Sequence, residues 1–94
     1  MYAIIFDIDP NCVNNQNQNN SISDCYEDVH KFMETNHFIQ QQVNLFFGDE
    51  TVNAVSCVLT IQKLVKQYPW LDSCIKDARM LRIEENSDLL ITIK

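Results

Sequence analysis

The first nine residues alternate between two faces in the pattern of a β-strand. One face carries Tyr2, Ile4, Phe6 and Ile8, and the other carries Ala3, Ile5, Asp7 and Asp9. Because apolar residues occupy both faces, we expect this strand in the middle of a sheet. Asp7 then lies within an apolar run, where we expect it to be buried, and a buried carboxylate usually has a partner or a function.

Two later stretches repeat their apolar residues at helical spacing. The first begins at Ser21, which resembles a capping box with Asp24, and runs to about residue 37. The second is capped by Asp49 or Thr51 and ends at Pro69. Its wide apolar stripe comprises Val52, Val55, Val58, Leu59, Ile61, Leu64, Val65 and Tyr68.

The remaining apolar runs predict strands. Residues 38–47 are rich in β-branched and aromatic residues, as one bent strand or as two short strands that meet near Gln42 and Val43. Residues 70–75 form a transition segment, and residues 77–84 predict a further strand. Residues 87–93 suit either a last strand or a short helix.

The order of these elements predicts an α+β fold, a ferredoxin-like β-α-β-β-α-β sandwich. In that architecture the helices pack on one face of the sheet, so the opposite face stays bare unless a second copy covers it. The pattern therefore predicts a homodimer. With 94 residues and 46% hydrophobic composition, we expect a single domain over residues 1–94.

Residues 11–20 contain eight Asn or Gln residues, which predicts a flexible loop. The sequence shows no signal-peptide pattern and no apolar run of about 20 residues, so we expect a cytoplasmic protein without membrane contact. Four cysteines fit no paired metal-ligand spacing, and we expect all of them to stay reduced, namely Cys12, Cys25, Cys57 and Cys74.

Charge is distributed unevenly along the chain. The net charge of −6 argues against unspecific binding to nucleic acid, because phosphate neutralisation needs lysine and arginine. Residues 1–62 carry a net charge of −7 and residues 63–94 carry +1. Any anion-binding surface must therefore come from the C-terminal third, where solvated helix ends and salt bridges account for most of the cations.

Both ends of the chain carry motifs of a known family. The pattern opens M-Y-A-x-x-F-D-L and closes W-x-x-x-x-V-x-D-I-R-A-F-R-I-E, followed by S-D-F-T. The residues that match it are Met1, Tyr2, Ala3, Phe6, Asp7, Trp70, Asp77, Arg79, Arg82, Ile83, Glu84, Ser87 and Asp88. Over nearly its whole length the chain resembles the virulence-associated protein D (VapD) family.

The middle of the chain departs from the family pattern, which has a Q-G-S-x-Y stretch after the first helix. Gln42 is kept, but Val43, Asn44 and Phe46 replace the glycine, serine and tyrosine. Without the glycine we expect no tight turn there. Asn44 still forms hydrogen bonds, but it is neither a nucleophile nor a useful base at neutral pH.

The resemblance implies an endoribonuclease that cleaves single-stranded RNA as a homodimer, the toxin of a toxin–antitoxin system restrained by a cognate antitoxin. The family is similar to the CRISPR-associated adaptation proteins, whose ferredoxin-like dimers bring together one aspartate from each protomer. By that resemblance Asp7 has the catalytic role, and its two copies admit one magnesium ion between them. No other cofactor is expected.

Six residues are the candidates for the site. The catalytic candidates are Asp7, Asp77 and Asn44, and the candidates for substrate contact are Arg79, Arg82 and Gln42. Arg79 and Arg82 have opposite parity along their strand, so only one of them shares a sheet face with Asp7. An ion pair between Asp7 and that arginine is the structural alternative to catalysis.

Two other functions remain open at this point. A catalytically silent dimer that serves as a scaffold for nucleic acid or for a protein is favoured by the acidic charge and by the lost hydroxyls at positions 44 and 46. A small domain that binds a metabolite has only fold analogy in its favour.

Overall fold

The computed structural model describes residues 1–12, 22–84, 86–87 and 89–93. The strands are β1 (Tyr2–Ile8), β2 (Phe38–Gln42), β3 (Leu45–Gly48) and β4 (Ile75–Arg82). The helices are α1 (Ile22–Thr35), α2 (Ala54–Gln67), α3 (Trp70–Cys74) and α4 (Leu90–Ile93). The transition segment is thus a short helix, and the C-terminal run takes the helical alternative.

The four strands form one sheet in the order β2-β3-β1-β4, and every neighbouring pair is antiparallel. With α1 between β1 and β2 and α2 between β3 and β4, this is the expected β-α-β-β-α-β arrangement, so the α+β ferredoxin-like prediction is confirmed. β1 lies between β3 and β4, as the apolar residues on both its faces predicted.

The core lies between the helices and one face of the sheet. The strand residues that form it are on the even-numbered face of β1 and the matching face of β3. Its buried members include Ile4, Phe6, Ile8 and Phe46 from the sheet, Cys25, Val29 and Met33 from α1, and Cys57 and Leu64 from α2. Phe6 and Phe46 stack with ring centroids 5.5 Å apart. Both long helices, α1 and α2, therefore pack on the same face of the sheet.

The opposite face, here called the outer face, has no covering layer in the described part of the chain. Two cross-strand rows define it, which are Ile39, Phe47, Ala3 and Leu81, and Gln42, Leu45, Ile5 and Arg79. Asp7 belongs to this face and is exposed, so the prediction that it is buried was wrong. The reason is that the odd-numbered side chains of β1 point away from the helices.

The turn between β2 and β3 is tight, contrary to the expectation drawn from the missing glycine. Gln42 pairs with Leu45, so only Val43 and Asn44 connect the two strands. Among the described non-glycine residues, a left-handed φ occurs at His37 and not in this turn. The register of β2 on β3 shifts between Gln40 and Gln42, directly before this turn.

The N-terminus of α2 is capped by Asn53, so the prediction of Asp49 or Thr51 as the cap was wrong. The Asn53 side chain accepts a hydrogen bond from the Ser56 amide at 2.9 Å. The Ser56 hydroxyl in turn accepts from the Asn53 amide at 3.4 Å, which completes a capping box. Val52 precedes the helix and is buried in the core.

Replacing Asn53 with alanine is expected to lower the free energy of unfolding by about 1 kcal/mol, because the Ser56 amide loses its acceptor. Chemical denaturation measures the change. Asn53→Asp is the matched control, since it keeps an acceptor oxygen and should retain most of the stability. Equal losses in both variants contradict the capping role.

Asp49 instead organises the loop before α2. Its Oδ1 accepts hydrogen bonds from the Thr51 amide at 2.8 Å and from the Thr51 hydroxyl at 2.5 Å. These bonds lower the pKa of Asp49, and the His37 ring, whose Nδ1 lies 3.2 Å from Oδ2, adds to the effect. His37 itself ends α1 with a left-handed φ of 73°.

Replacing Thr51 with valine is expected to raise the pKa of Asp49 toward its ordinary value, because the hydroxyl bond is lost while the amide bond remains. A carboxylate with a lowered folded-state pKa stabilises the fold above its unfolded-state pKa, and this contribution disappears as pH falls through the folded value. As the pH falls, the variant should therefore lose this stabilising contribution at a higher pH than the parent protein does. An NMR titration of the Asp49 carboxyl tests this, with Thr92→Val as the control.

The cysteines differ from expectation. Cys12 and Cys74 form a disulfide, with their Cα atoms 5.3 Å apart, so the prediction that all four stay reduced was wrong for this pair. The topology explains the contact, because the segment after β1 lies beside the segment that leads into β4. Cys25 and Cys57 are buried and form no disulfide, and burial raises the pKa of the Cys57 thiol.

Several expectations concern residues outside the described part of the chain. These are most of the loop over residues 11–20, the capping role of Ser21, and Asp88 of the closing motif. Among the described residues, no helix has the length and apolar character needed to cross a membrane.

Candidate active site

The candidate site lies where the end of β1 meets the start of β4. Because these strands are antiparallel, Asp7 stands directly opposite Asp77 in the register. The register shifts between Asp7 and Ile8, which leaves Lys76 as the extra residue of β4 at this point. Both carboxylates are exposed. Two negative charges directly opposite each other repel, so this pairing does not stabilise the sheet.

Arg79 lies on the outer face with the two carboxylates and contacts one of them, Asp77. Its Nε lies 3.0 Å from Oδ2 and 3.3 Å from Oδ1 of Asp77. In the register Arg79 pairs with Ile5, which places it diagonally across from Asp7. Both partners of the ion pair are exposed, with 71% of the Arg79 side chain and 53% of the Asp77 side chain accessible. Such a pair contributes little stability, and only Nε of Arg79 contacts Asp77, so the rest of the guanidinium can bind a phosphate.

Asp9 lies at the edge of the same site. Its amide donates a hydrogen bond to the Cys74 carbonyl at 2.8 Å, which continues the β1–β4 contact beyond the register shift. Its Oδ1 accepts from the Asn11 amide at 3.0 Å. The first bond holds the Asp9 backbone against the segment that precedes β4, and the second joins its side chain to the Asn11 amide.

Asn44 and Gln42 approach from the other side of β1. The Asn44 carbonyl accepts a hydrogen bond from the Phe6 amide at 3.1 Å, so the β2–β3 turn lies next to the residue that precedes Asp7. Gln42 is exposed and belongs to the same cross-strand row as Arg79. Asp7, Asp77, Arg79, Asn44 and Gln42 therefore share one end of the sheet.

Arg82 does not join this group. It pairs with Tyr2 at the opposite end of β1, and its Nη2 lies 3.4 Å from Oε1 of Glu84. The even-numbered residues of β4 face α2, so Arg82 and Arg79 lie on different faces of the sheet, as their opposite parity predicted. Asp7 makes no ion pair with an arginine in the part of the chain that the structure describes. No observation therefore supports the alternative to catalysis, in which Asp7 would be a structural partner of an arginine.

The oxygen atoms of the two facing carboxylates are the kind of ligand that magnesium takes. Magnesium takes oxygen ligands and is commonly held by one or two carboxylates together with water and phosphate. The described residues contain no cluster of three or more His, Cys, Asp or Glu side chains arranged for a metal. Within the described residues, one protomer thus offers Asp7 and Asp77 and no fuller set.

Sequence reasoning missed two features of the site. Lys76 is an exposed cation at the register shift, and its place directly before Asp77 was the available signal. The disulfide between Cys12 and Cys74 lies just beyond the end of the β1–β4 ladder that carries the carboxylates, and no local pattern indicated it because the two cysteines are 62 residues apart in sequence.

Comparisons with known proteins find two close relatives. Over 93 residues the chain is 50% identical to Endoribonuclease VapD 2 of Riemerella anatipestifer, and the alignment covers 99% of each protein. Over 94 residues it is 53% identical to the Endoribonuclease VapD homolog of Helicobacter pylori, which covers 100% of this chain and 97% of that protein. No protein-family model matches the chain.

Proposed function

The chain belongs to the VapD family, and we propose that it is an endoribonuclease that cleaves single-stranded RNA in the cytoplasm. Both relatives carry the name endoribonuclease and span essentially the whole chain. The observation that carries the proposal is the exposed group at the end of β1, where Asp7, Asp77 and Arg79 share one face.

In the proposed reaction Arg79 binds the phosphate of the RNA backbone, leaving Asp77 to hold the arginine by one edge of its guanidinium. Asp7 then accepts the proton of the attacking hydroxyl as general base, because it is exposed and has no competing ion pair among the described residues. As the attacking oxygen bonds to phosphorus, the P–O bond to the next nucleotide breaks and the leaving oxygen takes a proton from water. Asn44 and Gln42 supply hydrogen-bonding groups on the other side of β1. Arg82 takes no part in this arrangement.

Asp9 supports the reaction by its position. The bond from its amide to the Cys74 carbonyl keeps it at the same end of the β1–β4 ladder as Asp7. In a metal-dependent form of the reaction, Asp7 would be a ligand of magnesium in place of the base, and the ion would neutralise charge that develops on the phosphate. Two Asp7 residues, one from each protomer, are proposed to share that ion.

The proposed enzyme is a homodimer that forms through the outer face. Ile39 is 63% exposed and Leu81 is 39% exposed, while Phe47, Leu45 and Ile5 are half-buried on the same uncovered surface. Apolar side chains in adjacent rows make a surface that a second copy can cover. The same contact places the two candidate sites at the edge of one interface.

Replacing Phe47 with aspartate is expected to weaken this dimer by more than about tenfold in dissociation constant, because a charge is buried at the interface without a partner. Sedimentation analysis over a range of protein concentrations measures it. Glu27→Gln, at an exposed position of α1 on the helical side of the sheet, is the control. A variant that dimerises as tightly as the parent protein places the interface elsewhere.

The experiment that tests the enzymatic proposal is a time course of RNA cleavage by the purified protein, with magnesium and with chelator, and with duplex DNA as control. Cleavage of single-stranded RNA and not of DNA is the expected result. If RNA stays intact over a wide range of pH and metal conditions, the chain is instead a silent scaffold of the same fold.

The chain is further proposed to be the toxin of a toxin–antitoxin pair, as the family resemblance implies. An antitoxin is usually encoded beside its toxin, so coexpression with the adjacent gene is the direct test. Growth arrest by this chain alone and recovery with its neighbour is the expected result. Growth arrest that no neighbouring gene relieves would leave a ribonuclease without a dedicated antitoxin.

A further inference from the structure

A covalent bond joins the two segments that border the candidate site. Cys12 follows Asp7 and Asp9 along the chain, and Cys74 precedes Asp77. Their disulfide closes a separation of 62 residues, with the Cα atoms 5.3 Å apart. The bond therefore ties together the same end of the β1–β4 ladder that carries the facing carboxylates.

We propose that Cys12 and Cys74 form a reversible redox site that reacts with low-molecular-weight thiols, and that the oxidised form holds residues 9–12 in place beside the carboxylates. The consequence for catalysis rests on the proposed ribonuclease function, whereas the redox site itself does not. In the cytoplasm, where the RNA substrate is found, disulfides are usually transient and serve redox sensing rather than permanent stabilisation.

The two sulfur atoms differ in access. Cys74 is 1% exposed and packs in the core, whereas Cys12 is half-buried at the surface. A small thiol can therefore reach the sulfur of Cys12 from solvent. Cys25 and Cys57 are buried in the helical side of the core and are not disulfide-bonded, and burial raises the pKa of the Cys57 thiol. Exchange is thus confined to one pair of cysteines.

The exchange takes place in two steps that balance. The thiolate of a small thiol attacks Sγ of Cys12, the bond between the two cysteines breaks, and the Cys74 thiolate leaves and takes up a proton. A second small thiolate attacks the small-molecule sulfur of the mixed disulfide and releases the Cys12 thiolate, which also takes up a proton. Two small thiols are oxidised to one small disulfide, and the protein disulfide is reduced to two thiols.

Reduction changes how residues 9–12 are held. In the oxidised form the contacts of this segment include the disulfide, the bond from the Asp9 amide to the Cys74 carbonyl at 2.8 Å, and the bond from the Asn11 amide to Asp9 at 3.0 Å. Reduction removes the covalent contact and leaves non-covalent ones, among them the approach of the Cys12 sulfur to the Ser73 carbonyl at 3.5 Å. The Asp9 carboxylate then samples more positions next to Asp7, which lowers the precision of the site.

The test of the redox site counts thiols and needs no activity. The folded protein is equilibrated in buffers that range from oxidised to reduced glutathione, then denatured and alkylated, and the mass gives the number of alkylated cysteines. Two thiols at the oxidising end and four at the reducing end, with full reversal, is the expected result. Cys12→Ser should give three thiols throughout. Four thiols in every buffer, or two in reduced glutathione alone, overturn the proposal.

The effect on the site is measured separately, as initial rates of RNA cleavage by the two trapped forms. The oxidised form is expected to be about tenfold faster than the reduced form, because small displacements of a catalytic group cost rate. Cys12→Ser should show one rate under both conditions, and circular dichroism confirms that each form is folded. Equal rates in the wild-type forms overturn the coupling. Absence of cleavage in both forms refutes the ribonuclease, while the thiol count still decides the redox site.

Discussion

Asp7→Asn is expected to lower the rate of RNA cleavage by at least about a hundredfold, since a general base typically supplies that much. Asparagine keeps the size of the side chain and its hydrogen-bonding capacity but cannot accept the proton of an attacking hydroxyl. The folded state should not suffer, because Asp7 is exposed and stands directly opposite Asp77. Removing one of two facing charges relieves repulsion, so the melting temperature should be unchanged or slightly higher.

Initial rates on a single-stranded RNA substrate measure the loss, together with a thermal melt of each variant. Asp72→Asn is the matched control, because Asp72 is an exposed aspartate of α3 that lies outside the facing pair. It should cleave at the parent rate. If Asp7→Asn also retains the parent rate, Asp7 is not the base and the proposed mechanism is wrong.

Phe46→Ala is expected to destabilise the protein by about 3–5 kcal/mol, the usual cost of removing a buried phenyl ring and leaving a cavity. Phe46 is fully buried, and its ring stacks on Phe6 at 5.5 Å between centroids. Small domains have about 5–15 kcal/mol of total stability, so this one change removes a large part of it. Denaturant unfolding at low protein concentration measures the effect.

Phe47→Ala is the matched control for this prediction, because it changes the same residue type at the next position of β3. Phe47 lies on the outer face and is only half-buried, so its loss should cost about 1 kcal/mol in the monomer. In the proposed homodimer the cost should increase with protein concentration. Equal losses for the two variants at low concentration would mean that the two faces of the sheet are equally buried.

Much of the fold follows from local patterns. The alternation in β1 placed Ile4, Phe6 and Ile8 on one face, which the structure shows in the core, and the spacing of apolar residues located both long helices. The N-cap of α2 was misplaced because Asp49, Thr51 and Asn53 are all good caps. Which of them caps the helix depends on the residue at which the helix begins. The burial of Val52, directly before Asn53, fixes that point.

The site was less accessible to sequence reasoning. Family motifs identified Asp7, Asp77 and Arg79, and strand parity showed that Arg79 and Arg82 lie on different faces. Whether Asp7 is buried or exposed depends on which face of the sheet the helices cover. That in turn is a property of the whole chain, and in this fold the helices leave the odd-numbered face of β1 open.

The sequence by itself determined the elements, their order and the two faces of each strand, because the periods of a strand and of a helix are local properties of the chain. Only the tertiary structure decided that Asp7 meets Asp77 across a register shift and that Cys12 meets Cys74. These partners are about seventy and sixty residues apart in sequence. Contacts of that range are set by the packing of helices against the sheet, which fixes the register of β4 on β1.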